Sequence, residues 1–179
     1  MNQPNTKANF VEYKEEIENG VLISAGHYIN NVLNGEYRQY QNGKLQLMGQ
    51  YKNGKKNGWV EIYTNTGDLQ LRLIYKNGIR HGSIYTYENG CLSMHGCYAN
   101  DKKHGDFIYY NQGYIIRHEH FFEDVLHGLS YTFFPNSTQI FERGKYFQGK
   151  KHENWSYFNE SGELIKEEKY VYGEKSVNS

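Results

Sequence analysis

The chain repeats itself about every 23 residues between Ile17 and Tyr170, and this short internal period constrains the fold more than any single motif. Each unit opens on a glycine: Gly35, Gly58, Gly82, Gly105 and Gly128, with Glu153 in the sixth opener position. Five residues on stands a first aromatic: Tyr40, Tyr63, Tyr87, Tyr110, Phe133 or Phe158. A turn follows, then an aliphatic residue: Leu22, Leu45, Leu69, Leu92, Ile115, Ile140 and Leu164. Six residues after each of these comes a second aromatic: Tyr28, Tyr51, Tyr75, Tyr98, Phe121, Tyr146 and Tyr170. The next opener lies seven residues further on in all six cases. Only the step from opener to aliphatic varies, at 10, 11, 10, 10, 12 and 11 residues. Constant segments joined by a variable turn are what a hairpin array predicts, because turns tolerate changes in length.

Each unit reads as two short strands. The first, such as Trp59 to Tyr63, is rich in aromatic and β-branched residues. The second, such as Leu69 to Tyr75, carries both anchors on one face, because its six-residue step is even. Asn-Gly turns lie between them, as at Asn42-Gly43 and Asn89-Gly90, and before the next opener, as at Asn53-Gly54 and Asn77-Gly78. The opener glycine is expected to serve a tight bend or a close backbone approach ahead of a strand. No helical apolar stripe runs through the repeats. Phe10 to Ile17 reads equally as a short helix or as a strand capping the sheet. The expected fold is all-β: an elongated single-layer antiparallel sheet of six to seven tandem hairpins with thirteen or fourteen strands. Residues 1–16 form an N-terminal cap, 17–172 the array and 173–179 a frayed tail in this reading, within one quasi-one-dimensional domain.

The chain is hydrophilic on average, yet 16% of its residues are aromatic and 18 are tyrosine, which separates it from a disordered chain. Tyrosine suits a thin sheet: each ring buries a face and leaves its hydroxyl wet. Twenty basic residues balance 20 acidic ones, so charge exerts no general pull toward nucleic acid or an anionic membrane. Glu12, Glu15, Glu16 and Glu18 make the N-terminal region locally acidic, a docking patch for a basic partner or, more simply, a solvated terminus. The opening Met-Asn-Gln-Pro-Asn-Thr-Lys holds no apolar leader and no transmembrane run follows, which points to the cytoplasm. Cys91 and Cys97 fall on one expected strand, about 20 Å apart when extended, and read as free thiols.

Before several openers the chain writes Lys/Arg-His-Gly or a variant: Arg80-His81-Gly82, Lys103-His104-Gly105 and Lys56-Asn57-Gly58. With Tyr-x-Asn-Gly-Lys ahead of it and the Tyr and Leu anchors, this resembles the bacterial variant of the MORN repeat over about 150 residues. The match departs from the pattern at Glu153 and Ser130. The resemblance implies an extended sheet of successive hairpins without catalysis of its own. It also implies a protein-interaction scaffold, in some members membrane-associated. Stand-alone bacterial arrays of this kind are similar to antitoxin or immunity partners of secreted toxins.

Catalytic and metal motifs are weighed against this period. His81, His104, His127 and His152 recur at one repeat position, so hairpins would spread them about 10 Å apart. Metal ligands must instead converge within about 2.1 Å of one ion, so packing or turn capping is the favoured role. His118 and His120 are off the period and share a strand face, the one weak candidate for a metal seed, with Glu123 and Asp124 in the next turn. No nucleophile elbow, zinc-protease motif or phosphate loop is present in the sequence. No enzymatic activity and no cofactor are expected.

The remaining surface is aromatic. Trp59, Tyr63, Tyr85, Tyr87, Tyr110 and Tyr131 are the expected partner-binding residues, since rings that a single layer cannot cover suit protein interfaces. The expected function is a non-enzymatic protein-binding module of bacterial origin: an immunity protein or antitoxin that neutralises a toxin domain encoded nearby. A scaffold or weakly membrane-peripheral array is the alternative. No nucleic-acid partner is expected, and the last strand around Tyr170 offers an edge for homodimer formation.

Overall fold

A computed structural model describes residues 10–176. Residues 1–9 and 177–179, which hold parts of the expected cap and tail, lie outside the described residues. Among the described residues there is no helix, and Phe10 to Ile17 resolves toward strand. The strands are β1 (Val11–Glu18), β2 (Val21–Ile29), β3 (Val32–Gln41), β4 (Lys44–Lys52), β5 (Lys55–Tyr63) and β6 (Leu69–Lys76). There follow β7 (Ile79–Glu88), β8 (Cys91–Ala99), β9 (Lys102–Lys103), β10 (Gly105–Asn111) and β11 (Tyr114–Phe122). The last are β12 (Val125–Phe133), β13 (Ile140–Phe147), β14 (Lys150–Phe158), β15 (Leu164–Val171) and β16 (Glu174–Lys175). They form one open antiparallel sheet in hairpin succession, with strand order following chain order. Contacts divide the chain into two compact units, the first ending at Ile79 and the second beginning at Arg80.

The repeat positions are register positions. In each hairpin the first aromatic lies opposite the aliphatic residue, as in Tyr40↔Leu45, Tyr63↔Leu69 and Tyr110↔Ile115. The opener lies opposite the second aromatic: Gly35↔Tyr51, Gly58↔Tyr75, Gly82↔Tyr98, Gly105↔Phe121, Gly128↔Tyr146 and Glu153↔Tyr170. β1 obeys the same register, with Glu12↔Tyr28 and Ile17↔Leu22, so it is the opener strand of the first hairpin.

The opener sits within a strand or its ladder rather than ahead of it. β5 starts at Lys55, before Gly58, and β3 at Val32, before Gly35. Between Gly49↔Val60 and Tyr51↔Lys56 the ladder advances two residues on β4 and four on β5, which makes a wide bulge at the opener. A residue there must turn left-handed. All six openers have positive φ, from 60° at Glu153 to 126° at Gly35. Glycine carries this conformation without the clash that a Cβ brings. A bulge adds local twist and re-aims the strand, so the period builds a twisted sheet.

The core is a row two residues past each opener: Tyr37, Val60, Ile84, Phe107, Ser130 and Trp155. Phe107 and Trp155 are 0% and 1% exposed. A single layer buries such rings by removing side chains from the facing strand. A Cβ on Gly96 would come within 2.5 Å of the Phe107 ring, and one on Gly144 within 2.3 Å of the Trp155 ring. Across this row the rings also meet edge to face, Phe107 with Phe121 at 5.2 Å and Tyr146 with Trp155 at 5.1 Å.

The Lys/Arg-His-Gly run now has a role for every residue. The cation covers rings of the core face: Lys56 over Tyr75, Arg80 over Tyr98, Lys103 between Phe107 and Phe121, and Lys151 at 3.7 Å over Trp155. The same residue's carbonyl accepts the N–H of the following turn, as in Gly78 to Lys56, Asp124 to Lys103 and Gly173 to Lys151. The histidine lies against aromatic rings: His104 on Phe122, His127 on Phe147 and His152 on Tyr172. Both cysteines are free and lie on β8, as the spacing requires.

Two substitutions test this architecture. Glu153→Gly relieves the left-handed non-glycine opener and raises stability by about 1 kcal/mol, since its exposed pair with Lys145 contributes little. Gly144→Ala drives a methyl into Trp155 and lowers stability by about 3 kcal/mol. Thermal and urea unfolding measure both.

Candidate functional site

The face opposite the core row carries the residues three past each opener. In the second unit these and their cross-strand partners form one continuous line. Its register is Tyr85↔His95↔Ile108↔His118↔Tyr131↔Arg143↔Ser156, read strand to strand from β7 to β14. Alternation along each strand puts them all on one face. Tyr85 stacks on His95 at 5.2 Å with an interplanar angle of 12°, and His118 stacks on Tyr131 at 5.7 Å and 27°. Tyr85, His95, Ile108, His118 and Tyr131 are each half-buried: their edges pack on one another and their outer faces meet solvent. The line ends in a shallow depression of about 340 Å³, lined by Leu129, Arg143, Lys145, Asn154, Ser156 and Lys169 among others. Arg143 lies 5.2 Å over the Phe158 ring, and Lys145 pairs with Glu153 at 2.7 Å. The surface thus runs from ring faces to a basic hollow.

The structure distributes the sequence-expected binding residues over several places. Tyr85 and Tyr131 join the line. Tyr87 lies opposite Leu92, and Tyr110 borders a depression of about 220 Å³ with Cys91, Leu92 and Ser93 near the short turns. Trp59 and Tyr63 belong to the first unit. Trp59 lies opposite Ile74, and the Tyr63 hydroxyl donates to Glu61 at 2.5 Å, while Arg72 Nε donates to the same carboxylate at 2.7 Å. Burial and the Glu61 carboxylate push the Tyr63 phenol up to about 12. All six rings are half-buried. Sequence reasoning did not single out His95, Arg143 and Lys145. The signal that finds them is the register itself, since opener and second aromatic fix which residues stand opposite one another.

His118 and His120 share a face, and their neighbour comes from the paired strand. Asp106 Oδ1 lies 2.9 Å from His120 Nδ1 and 3.1 Å from His118 Nε2. Asp106 stands opposite His120 in the ladder. Glu123 and Asp124 are engaged elsewhere, Glu123 with Lys102 and Asp124 with the Lys103 N–H. Among the described residues no group of three or more His, Cys, Asp or Glu side chains is arranged to hold a metal ion. The cluster is a carboxylate clamped between two imidazoles. Hydrogen bonding with His120, with His118 close by, holds the Asp106 carboxyl below its ordinary value, against the opposing effect of burial.

No protein-family model matches the chain, and no curated protein matches it.

A carboxyl whose folded value is depressed adds stability above its ordinary titration range and loses it as pH falls through the folded value. Asp106→Asn is therefore expected to be less stable than the wild type near neutral pH, and the two are expected to converge below about pH 3.8. Urea midpoints measured across pH check this; a constant difference down to acid would refute the role of the ionised carboxylate.

Proposed function

We propose that this chain is a protein-binding module that acts by surface complementarity, without chemistry of its own. The observation that carries this reading is the line from Tyr85 to Tyr131 ending at Arg143 and the basic hollow. Rings held in place by stacking lose little freedom on contact, and Tyr and Arg are the side chains enriched at binding hot spots. A partner with an apolar ridge beside an acidic edge fits this surface. The most specific form of the proposal is an immunity protein or antitoxin that covers a toxin domain encoded nearby, and it is supported by the resemblance to bacterial MORN-variant arrays. The alternative is a scaffold or membrane-peripheral array, for which Arg143, Lys145 and Lys169 would supply the cationic contact.

Co-expression with the product of the neighbouring gene tests the first form. The wild type is expected to relieve that product's toxicity and to co-purify with it. Tyr131→Ala and Arg143→Glu are each expected to weaken the complex about tenfold or more, with thermal stability little changed. Undiminished relief by both variants would sink the assignment of this surface. Binding to anionic vesicles that falls with salt, in the absence of a protein complex, would favour the alternative.

A further inference from the structure

The two end strands of the sheet are complementary halves of one repeat. β1 is an opener strand in register, and among the described residues it pairs on one side alone, with β2. β15 pairs along its length with β14, and on its other side β16 covers Tyr170 and Val171. The Ser176 N–H adds one bond to the Lys169 carbonyl. Among the described residues the outer edge of Leu164 to Glu168 has no strand beside it.

In five strand pairs of the array the opener strand meets the strand before it in two stretches separated by the bulge. The stretch ahead of the bulge pairs as Tyr51↔Lys56 and Tyr146↔Lys151 do. Tyr170↔Lys175 is the same pair, so β16 is the first half of a further opener strand. Among the described residues no stretch past the bulge pairs with β15, and that is the half that β1 can supply.

We infer that the occupant of this edge is the β1 strand of a second copy of the chain, added head to tail. The internal interfaces fix the register. The residue three past the opener faces the residue three past the aliphatic in five strand pairs: Arg38↔Ala25, Glu61↔Met48, Ile108↔His95, Tyr131↔His118 and Ser156↔Arg143. Applied to the ends, that rule sets Glu15 of one copy opposite Glu167 of the next. One residue to either side, Glu16 falls opposite Lys166 and Lys14 opposite Glu168. These two pairs are oppositely charged. Glu15 and Glu167 repel, but Lys169 lies two residues along on the Glu167 face. Glu168 is a buried carboxylate that already gathers cations: Lys166 at 2.5 Å and Lys175 at 2.6 Å, with the Tyr170 hydroxyl donating at 2.7 Å. Those bonds hold it well below the usual carboxylate range. Lys14 adds a third cation to that row.

Both end strands also expose apolar side chains. Ile17 is 60% exposed and Ile165 is 61% exposed. In this register they come together one step beyond the Glu16–Lys166 pair. Edge strands of soluble proteins are commonly blunted by charged side chains, proline, bulges or covering segments; both end strands are charged, but in this register Lys14 and Glu16 meet opposite charges. β1 carries eight strand residues without a proline, and β15 likewise holds none.

Site-specific cross-linking of the full chain tests the register. Cys91→Ser and Cys97→Ala remove the native thiols, and Glu15→Cys and Glu167→Cys are introduced in separate proteins. Directly opposed strand residues lie about 4.5–5.5 Å apart at Cα, within disulfide range. Under mild oxidation the mixture is expected to form the mixed dimer at least tenfold faster than either protein forms a dimer alone. Faster self-linking of either single-cysteine protein would overturn head-to-tail pairing in favour of like edges. Sedimentation equilibrium of the wild type is expected to show concentration-dependent association. Ile17→Lys, at an exposed side chain where folding is little affected, is expected to weaken that association about tenfold or more by removing apolar burial. A wild type that stays monomeric at millimolar concentration, or an association untouched by Ile17→Lys, would overturn the proposal.

Discussion

The structure depends on one recurring contact: a left-handed opener lying opposite an aromatic ring. The opener must take a positive φ because two extra residues are inserted there. That demand selects glycine and explains why glycine recurs at this position in five hairpins. The cation two residues ahead of the opener then covers that ring or its neighbour, and its carbonyl receives the next turn's N–H. One short stretch thus fixes the strand register, the twist and the stacking of successive turns. Glu153 retains the left-handed geometry without the glycine, which shows that neighbouring repeats impose the backbone conformation rather than the opener residue alone.

A sheet of one layer has no opposing layer to bury its rings against, so the core is made in the plane. Large side chains two past the opener lie in gaps left by small ones on the preceding strand: Tyr37 by Gly26, Val60 by Gly49, Phe107 by Gly96 and Trp155 by Gly144. The size match holds the row at close packing. Leu73 takes the corresponding place on β6, and on β11 and β15 polar groups appear instead. Ser130 stands opposite Glu119, and Trp155 is bordered on its far side by Glu168, whose charge is neutralised by lysines and a tyrosine hydroxyl. Both carboxylates lie in a row that is otherwise apolar, and each has a cation beside it, Arg117 in the case of Glu119.

Much of this was legible in the chain. The period gave the hairpins, the turns and the free cysteines, because local spacing alone decides them. The position of the opener was harder to read. Glycine before an aromatic run looks like the start of a strand, and only pairing with the preceding strand reveals a bulge inside the ladder. β1 was harder still, since Glu12 and Lys14 replace the glycine and the core ring that mark other openers. The His118–Asp106–His120 clamp joins residues fourteen or fewer positions apart on two strands, so no motif within one strand announces it.

The bulge also separates two kinds of position. Residues two past the opener are held to the size of the gap they fill, and five of the six are apolar or aromatic: Tyr37, Val60, Ile84, Phe107 and Trp155. Their immediate neighbours, three past the opener, point to the other face, where burial varies: Glu61 and Ser156 are buried, and Tyr85, Ile108 and Tyr131 are half-buried. There the chain places Arg38, Glu61, Tyr85, Ile108, Tyr131 and Ser156, a mixture of charges, rings and small groups. A uniform requirement on one face therefore leaves the other free to differ from hairpin to hairpin. Because register aligns these positions side by side, any sequence written at them becomes a continuous surface pattern. The repeat that makes the fold uniform is thus the same device that lets an array of this kind carry an individual recognition surface, one residue per strand, without disturbing its core.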